Sequence, residues 1–196
     1  MNNWQFQTPG IPDDYFIRGQ VPMTKEEVRA LTISKLRLKK DSIVYDIGAG
    51  TGSLTIEAGL IANEGEVWSI ERKIEGIDLI EKNINKFKLD NINVISGEAP
   101  QALEGLPSAN RVIIGGSGGR LAEILEIVDQ NLKPEGRIVV NAITLETLLD
   151  AKQNLLDLNY ELDIVTVNIT RTKEVGDYYM LEGQNPVYII AGERRR

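Results

Sequence analysis

Hydrophobic and polar positions along this chain switch repeatedly between two patterns. Short apolar runs at Ser42–Ile47, Glu66–Glu71, Asn91–Ser96, Arg111–Ile114 and Arg137–Ala142 have the length of buried strands. Longer stretches with apolar residues three and four apart lie between them. They predict helices from the glycines after Ile47 to about Ala62, and at Ile74–Lys88, Leu121–Leu132 and Leu145–Leu158, with a short one at Pro100–Leu103. Strands and helices in regular turn imply a parallel sheet with helices on both faces and right-handed crossovers. The last two strands, Leu162–Ile169 and Val187–Ala191, have no helix between them, only a polar, glycine-bearing loop, Arg171–Pro186. They predict an antiparallel pair at one edge. The expected fold is a single doubly wound α/β domain over residues 1–196. Its sheet is seven-stranded and mostly parallel, with an antiparallel last strand.

Ahead of this core (39–196) lies a segment of different character (1–38). Residues 1–22 hold Pro9, Pro12 and Pro22 with Gly10 and Gly19, and read as an extended arm. Thr24 and Glu27 have capping-box spacing, with Thr24 as N-cap. The helix they open carries Val28, Leu31 and Leu36 on one face and runs to about Leu38. At the other end, Glu193–Arg196 reads as an unstructured tail.

Composition narrows the chemistry. The chain has neither Cys nor His. That excludes disulfides, thiolate nucleophiles, zinc ribbons, iron–sulfur clusters, Ser–His triads and histidine-ligated metals. Carboxylates, Lys/Arg, Tyr, hydroxyls, backbone dipoles or a borrowed cofactor must supply any reactivity, and no protein-bound metal is expected. The net charge of −7 argues against non-specific nucleic-acid binding. Residues 1–40, with 7 Lys/Arg against 4 Asp/Glu, are locally basic. A polar N-terminal stretch and the lack of a long apolar run predict a cytoplasmic protein without signal peptide or membrane span.

Ligands of open parallel sheets bind beyond the carboxyl ends of the strands, where strand order reverses. The special loops of this chain fall there. Asp46-Ile-Gly48-Ala-Gly50-Thr-Gly52 ends the first strand, and its glycines allow a tight turn and close backbone approach to a ligand. Glu71 ends the second strand, where an acid can accept two hydrogen bonds from a ribose diol. Ser96-Gly-Glu98-Ala99 ends the third, placed to meet an adenine edge. The sixth position of a dinucleotide fingerprint is Ser53 rather than glycine, which disfavours a dehydrogenase. The pattern D-x-G-x-G-x-G resembles motif I of the class I S-adenosylmethionine (SAM) methyltransferases. That resemblance implies the methionine part of SAM on the Gly48–Gly52 loop and its ribose on Glu71.

The fourth loop, Ile114-Gly-Gly-Ser-Gly-Gly119, is not the [DNS]-P-P-[YFW] motif usual in amino-methylating nucleic-acid enzymes. Its small residues leave room for a bulky acceptor, with Ser117 at their centre. Together with Gly10-Ile-Pro-Asp-Asp-Tyr-Phe16, Arg18, Pro22-Met-Thr-Lys-Glu-Glu-Val-Arg29, Gly136-Arg-Ile-Val-Val-Asn-Ala-Ile-Thr-Leu-Glu146 and Asn185-Pro-Val, it resembles the decarboxylating cobalt-precorrin-6B C15-methyltransferases of anaerobic cobalamin biosynthesis. The resemblance spans nearly the whole chain. It implies methylation of ring carbon C15 of cobalt-precorrin-6B and loss of CO2 from the C12 acetate, giving cobalt-precorrin-7. It places SAM against Thr24, Asp46, Gly48, Ala49, Gly50, Thr51, Gly52, Glu71, Glu98 and Ala99. The family often has Asp where Glu98 stands. A homotetramer is implied as well, and association with a C5-methyltransferase is a further reading.

A polycarboxylate tetrapyrrole calls for cations near the site. Arg18, Lys25, Arg29, Arg120, Arg171 and Lys173 are the candidates, with Ser117 and Asn141 as polar contacts. Tyr178, Tyr179 and Met180 offer surface to a flat macrocycle. Two alternatives stay open at this point: a methyltransferase acting on RNA or a protein carboxylate, and a non-catalytic nucleoside-binding subunit.

Overall fold

Strand β1 (Ile43–Ile47) is buried from its second residue onward, as a parallel strand covered on both faces must be. In the computed structural model, which describes Trp4 and residues 6–194, β1 sits between β2 (Glu66–Glu71) and β4 (Ala109–Ile114). Outside these lie β3 (Ile92–Ser96) and β5 (Leu132–Ala142), all five strands parallel. Strands β9 (Val187–Arg194) and β6 (Tyr160–Val167) complete the sheet in the order β3-β2-β1-β4-β5-β9-β6. Only β9 runs against its neighbours, paired with β5 on one side and β6 on the other. The seven-stranded, mostly parallel sheet with an antiparallel last strand is therefore as the sequence predicts.

The alternation within each strand divides the core. Val44, Val67, Ile113 and Val139 face α1 (Glu26–Leu36) and α2 (Ser53–Ile61). Tyr45, Ile47, Val112, Ile114 and Ile138 face α4 (Leu121–Asn131) and α5 (Leu145–Asp157). Helix α3 (Ile74–Phe87) packs on α2, β2 and β3. Among the described residues no helix is long and apolar enough to cross a membrane.

Three expectations are corrected. The segment read as a loop, Arg171–Pro186, contains a hairpin: β7 (Thr170–Val175) pairs with β8 (Tyr178–Gly183) as a separate two-stranded sheet. Every residue of both strands is exposed, so no core imposes the alternation that would have revealed them. Helix α1 begins at Glu26 with Lys25 as its N-cap and no side-chain cap bond. Thr24 is not the cap; its carbonyl instead accepts from the Arg29 guanidinium. Finally, Glu193 and Arg194 belong to β9, held by Arg137 and Asp129. Residues 195–196 lie outside the described residues.

The arm crosses α1, α2 and α3 rather than hanging free. A 3-10 turn (Asp13–Tyr15) interrupts it. Ile11 and Phe16 form a small core with Ile56 and Phe87, and Phe16 stacks on Phe87 with ring centroids 5.2 Å apart.

Candidate functional site

The carboxyl ends of β1, β2, β3 and β4 open on one cleft of about 260 Å³. Two glycine loops meet over it. Gly48, just past β1, has φ +71°, and a Cβ there would lie 2.5 Å from the Gly116 carbonyl oxygen. Only glycine fits this approach. Both loops hang from β-strand carbonyls: Gly48 N and Ala49 N donate to Ile70 O, while Gly115 N and Gly116 N donate to Ile47 O. Gly48, Gly50, Ser117 and Gly118 form walls of the cleft.

Glu71 lies on its floor, 7% exposed. Its Oε2 accepts from Gly50 N at 2.9 Å and its Oε1 from Arg72 N and Lys73 N at 3.0 and 2.8 Å. Three backbone donors thus fix a carboxylate that still borders the cavity. Asp46 lies beneath the loop rather than on the cleft wall. It is buried and takes a 2.6 Å hydrogen bond from the Thr55 hydroxyl, which also contacts Ser69. Burial, reinforced by the charge of Glu71, pushes its pKa up to about 6 against the opposing Thr55 bond. Its Oδ1 and the Thr51 hydroxyl have no partner among the described residues.

The other residues read as cofactor contacts divide. Glu98 and Ala99 border the cleft. Glu98 does not point to a free edge: its Oε1 binds Arg72 Nη1 at 2.6 Å, and this pair rests against Gly118. Thr24, Ala49, Thr51 and Gly52 do not border the cleft. Gly52 is instead pressed to Ile80, whose Cγ1 would be 2.9 Å from an added Cβ.

The cations are dispersed. Arg18, Lys25 and Arg171 surround a second cavity of about 360 Å³, together with Asp13, Asp14 and Glu26. Lys25 pairs with Asp13 at 3.4 Å and Arg171 with Glu27 at 2.6 Å. That neighbour keeps Glu27 ionised below the usual carboxylate range, against the desolvation of its own carboxyl. Arg18 is exposed and forms no ion pair among the described residues. Arg120 stands apart, bound to Glu123 and Gln101. Arg29 is not a surface cation at all. Fully buried, it binds Glu57 at 2.6 Å, Asp13, and the carbonyls of Thr24 and Ile11, under the Phe16 ring. It pins the arm, and a substrate carboxylate has no access to it. Asn141 accepts from the Thr32 hydroxyl at 3.1 Å, leaving its amide nitrogen buried and unpartnered. Lys173, Tyr178, Tyr179 and Met180 lie on the exposed hairpin.

A sequence model described as a precorrin methyltransferase domain matches residues 14–194. The chain belongs to the precorrin methyltransferase family. A curated relative from Sulfurisphaera tokodaii, named probable cobalt-precorrin-6B C(15)-methyltransferase (decarboxylating), is 45% identical over 188 residues. Those residues are 95% of this chain and 98% of the relative. Among solved structures, precorrin-6y C5,15-methyltransferase from Geobacter metallireducens is 44% identical with a TM-score of 0.91, covering 95% of this chain and 99% of its own. The precorrin 8W decarboxylase of Methanobacterium thermoautotrophicum is 39% identical with a TM-score of 0.88, covering 93% and 98%.

This precorrin methyltransferase family member also carries site residues that sequence reasoning passed over. Val21 and Pro22 of the arm border the main cleft, as do Arg72 and Lys73. The two cations were legible as the residues following Glu71. The wall made by Val21 and Pro22 was not: the resemblance brought only Thr24, just beyond them, to the donor, and nothing local marks where an extended segment folds back. Among the described residues no cluster of three or more acidic side chains is placed to hold a metal.

Proposed function

We propose that the chain methylates C15 of cobalt-precorrin-6B, using SAM as donor, and releases the C12 acetate carboxyl as CO2 to give cobalt-precorrin-7. The observation that carries this is the near-complete, 45% identical match to a relative named for that activity, joined to a cleft that suits the donor. Glu71 offers fixed carboxylate oxygens to a ribose diol. The bare Gly48–Gly116 contact leaves backbone surface where a side chain would fill the space. Gly97, Glu98 and Ala99 border the nucleobase end. SAM supplies an already electrophilic sulfonium methyl, so the residues need chiefly to align donor and acceptor. No His or Cys is required for that task. The open Gly115–Gly119 loop gives the macrocycle room, and cobalt arrives within the substrate.

Acceptor carboxylates are met by Arg18, Lys25 and Arg171 around the second cavity, with Ser117 and Arg120 at the glycine loop, while Asn141, its amide nitrogen buried behind α1, stays out of their reach. Arg171 is released from Glu26 and Glu27 when it turns to the substrate. The same reading includes cytoplasmic action, no nucleic-acid substrate, a homotetramer and association with a C5-methyltransferase. The exposed Tyr178, Tyr179 and Leu181 support an assembly, and the C5,15 designation of the Geobacter protein supports the last.

The test is turnover of purified chain with SAM and cobalt-precorrin-6B, following S-adenosylhomocysteine and CO2 together. Equimolar formation of both is the expected result. Methyl transfer without CO2, or transfer only to RNA or protein, would overturn the assignment.

A further inference from the structure

The arm reaches the donor cleft through one side chain. Asn83, on α3, is completely buried among the apolar residues Leu79, Ile80 and Phe87 of its own helix. Burying a primary amide is costly unless its hydrogen bonds are met, and here they are met by two different parts of the site. Asn83 Oδ1 accepts from Ile17 N at 2.8 Å, and Nδ2 donates back to Ile17 O at 3.1 Å. The same Nδ2 donates to Thr51 O at 3.0 Å. Ile17 belongs to the arm and Thr51 to the glycine loop, so one amide fixes the distance between them. Four and five residues further along the arm, Val21 and Pro22 become a wall of the donor cleft. The Pro22 carbonyl lies 3.4 Å from where a Cβ of Gly50 would stand. Between Asn83 and that wall, Gln20 N donates to Glu75 Oε1 at 2.9 Å, a second tie from the same helix at the surface.

We infer that Asn83 is a positioning residue for methyl transfer: it registers the arm against the glycine loop and thereby shapes the donor site without touching the donor. The inference rests on the cleft being the SAM site. Two of the three donors to Glu71, Arg72 N and Lys73 N, lie outside the loop that Asn83 ties, so losing the amide leaves the carboxylate held and displaces the Val21–Pro22 wall. Donor affinity falls while the rest of the fold persists.

The experiment is calorimetric titration with S-adenosylhomocysteine, free of any acceptor, on wild type, Asn83→Asp, Glu75→Ala and Glu75→Gln. Asn83→Asp keeps the acceptor for Ile17 N and removes both donations. It also turns a carboxylate oxygen toward the Ile17 and Thr51 carbonyls, and is expected to weaken binding by about tenfold or more. Glu75→Ala removes the surface tie and is expected to weaken binding about threefold, whereas Glu75→Gln, which retains an acceptor oxygen, stays near wild type. A merely structural residue gives no such rescue. Folded Asn83→Asp with wild-type affinity overturns the inference. Should that variant fail to fold, equal affinities of Glu75→Ala and Glu75→Gln overturn it instead. Failure of the wild type to bind overturns the donor assignment, and this inference with it.

Discussion

Replacing Gly48 by alanine puts a methyl carbon 2.5 Å from the Gly116 carbonyl oxygen and 2.7 Å from both Gly116 Cα and N. All three are backbone atoms, so no side chain can rotate away; one loop must shift. Gly48 also has φ +71°, where an L-residue pays roughly 1–2 kcal/mol. Overpacking of this kind adds about 1–3 kcal/mol, for a total of roughly 2–5 kcal/mol against a typical stability of about 5–15. Gly119 separates the two contributions, since it has φ +85° but nothing within 4 Å of an added Cβ. Gly119→Ala should lose only the conformational part, about 1–2 kcal/mol, and any stiffening of the unfolded chain is common to both variants. Urea unfolding of the two variants beside wild type measures the difference directly. A surplus loss in Gly48→Ala, with weakened S-adenosylhomocysteine binding, is the expected outcome. Equal losses in the two variants would refute the claim that the glycine loops are held apart by no more than a backbone.

Glu71→Ala removes the carboxylate that faces the cleft and should weaken S-adenosylhomocysteine binding by ~1–3 kcal/mol, the cost of losing charge-assisted hydrogen bonds; unchanged affinity by calorimetry would sink its ribose role. Asp46 should make stability fall as pH rises. Its folded pKa of about 6 exceeds the usual 3.8, so the stabilisation is complete below that lower value and is lost as pH passes through about 6. At about 1.36 kcal/mol per tenfold change the loss is roughly 2–3 kcal/mol. Asp46→Asn should flatten the profile, and parallel denaturation midpoints for both proteins from pH 4 to 8 would contradict this. The double variant Arg18→Ala with Arg120→Ala should impair tetrapyrrole binding and spare the donor. Arg18, which forms no ion pair among the described residues, should carry the larger share, and unchanged tetrapyrrole affinity in the double variant would return both residues to ordinary surface charge.

How much of this was legible depended on whether the information lay within a few residues. β2 runs over Glu66–Glu71 as its apolar run indicates, and α3, α4 and α5 lie within a residue or so of the periodic stretches. Each meets the core along a face its own sequence encodes. The donor loops were legible for the same reason, being glycines and an acid at strand ends. What failed was non-local. Arg29 looks like any helix-surface cation until Glu57, 28 positions away, closes on it. Glu193 and Arg194 read as a tail because Arg137 and Asp129, their partners, lie far back in the chain. Asn83 sits among apolar neighbours, and only its pairing across 66 positions with Ile17 shows why a polar residue is there. The hairpin failed differently: β7 and β8 contact no core, so their side chains follow no burial pattern.

The place of β9 has a consequence for how the chain assembles as it is made. β6 has only β9 for a neighbour in the main sheet, and β9 leaves the ribosome after it. β2 to β5 can pair as they emerge, each closing on a strand already present. β6 cannot: it waits, with its ladder groups unpaired, for a strand that begins 20 residues after it ends. The intervening hairpin draws the two together by folding on itself, shortening the loop that must close. Until β9 slides in, the exposed edge of β5 is open to any other strand, a window in which misassembly competes with completion.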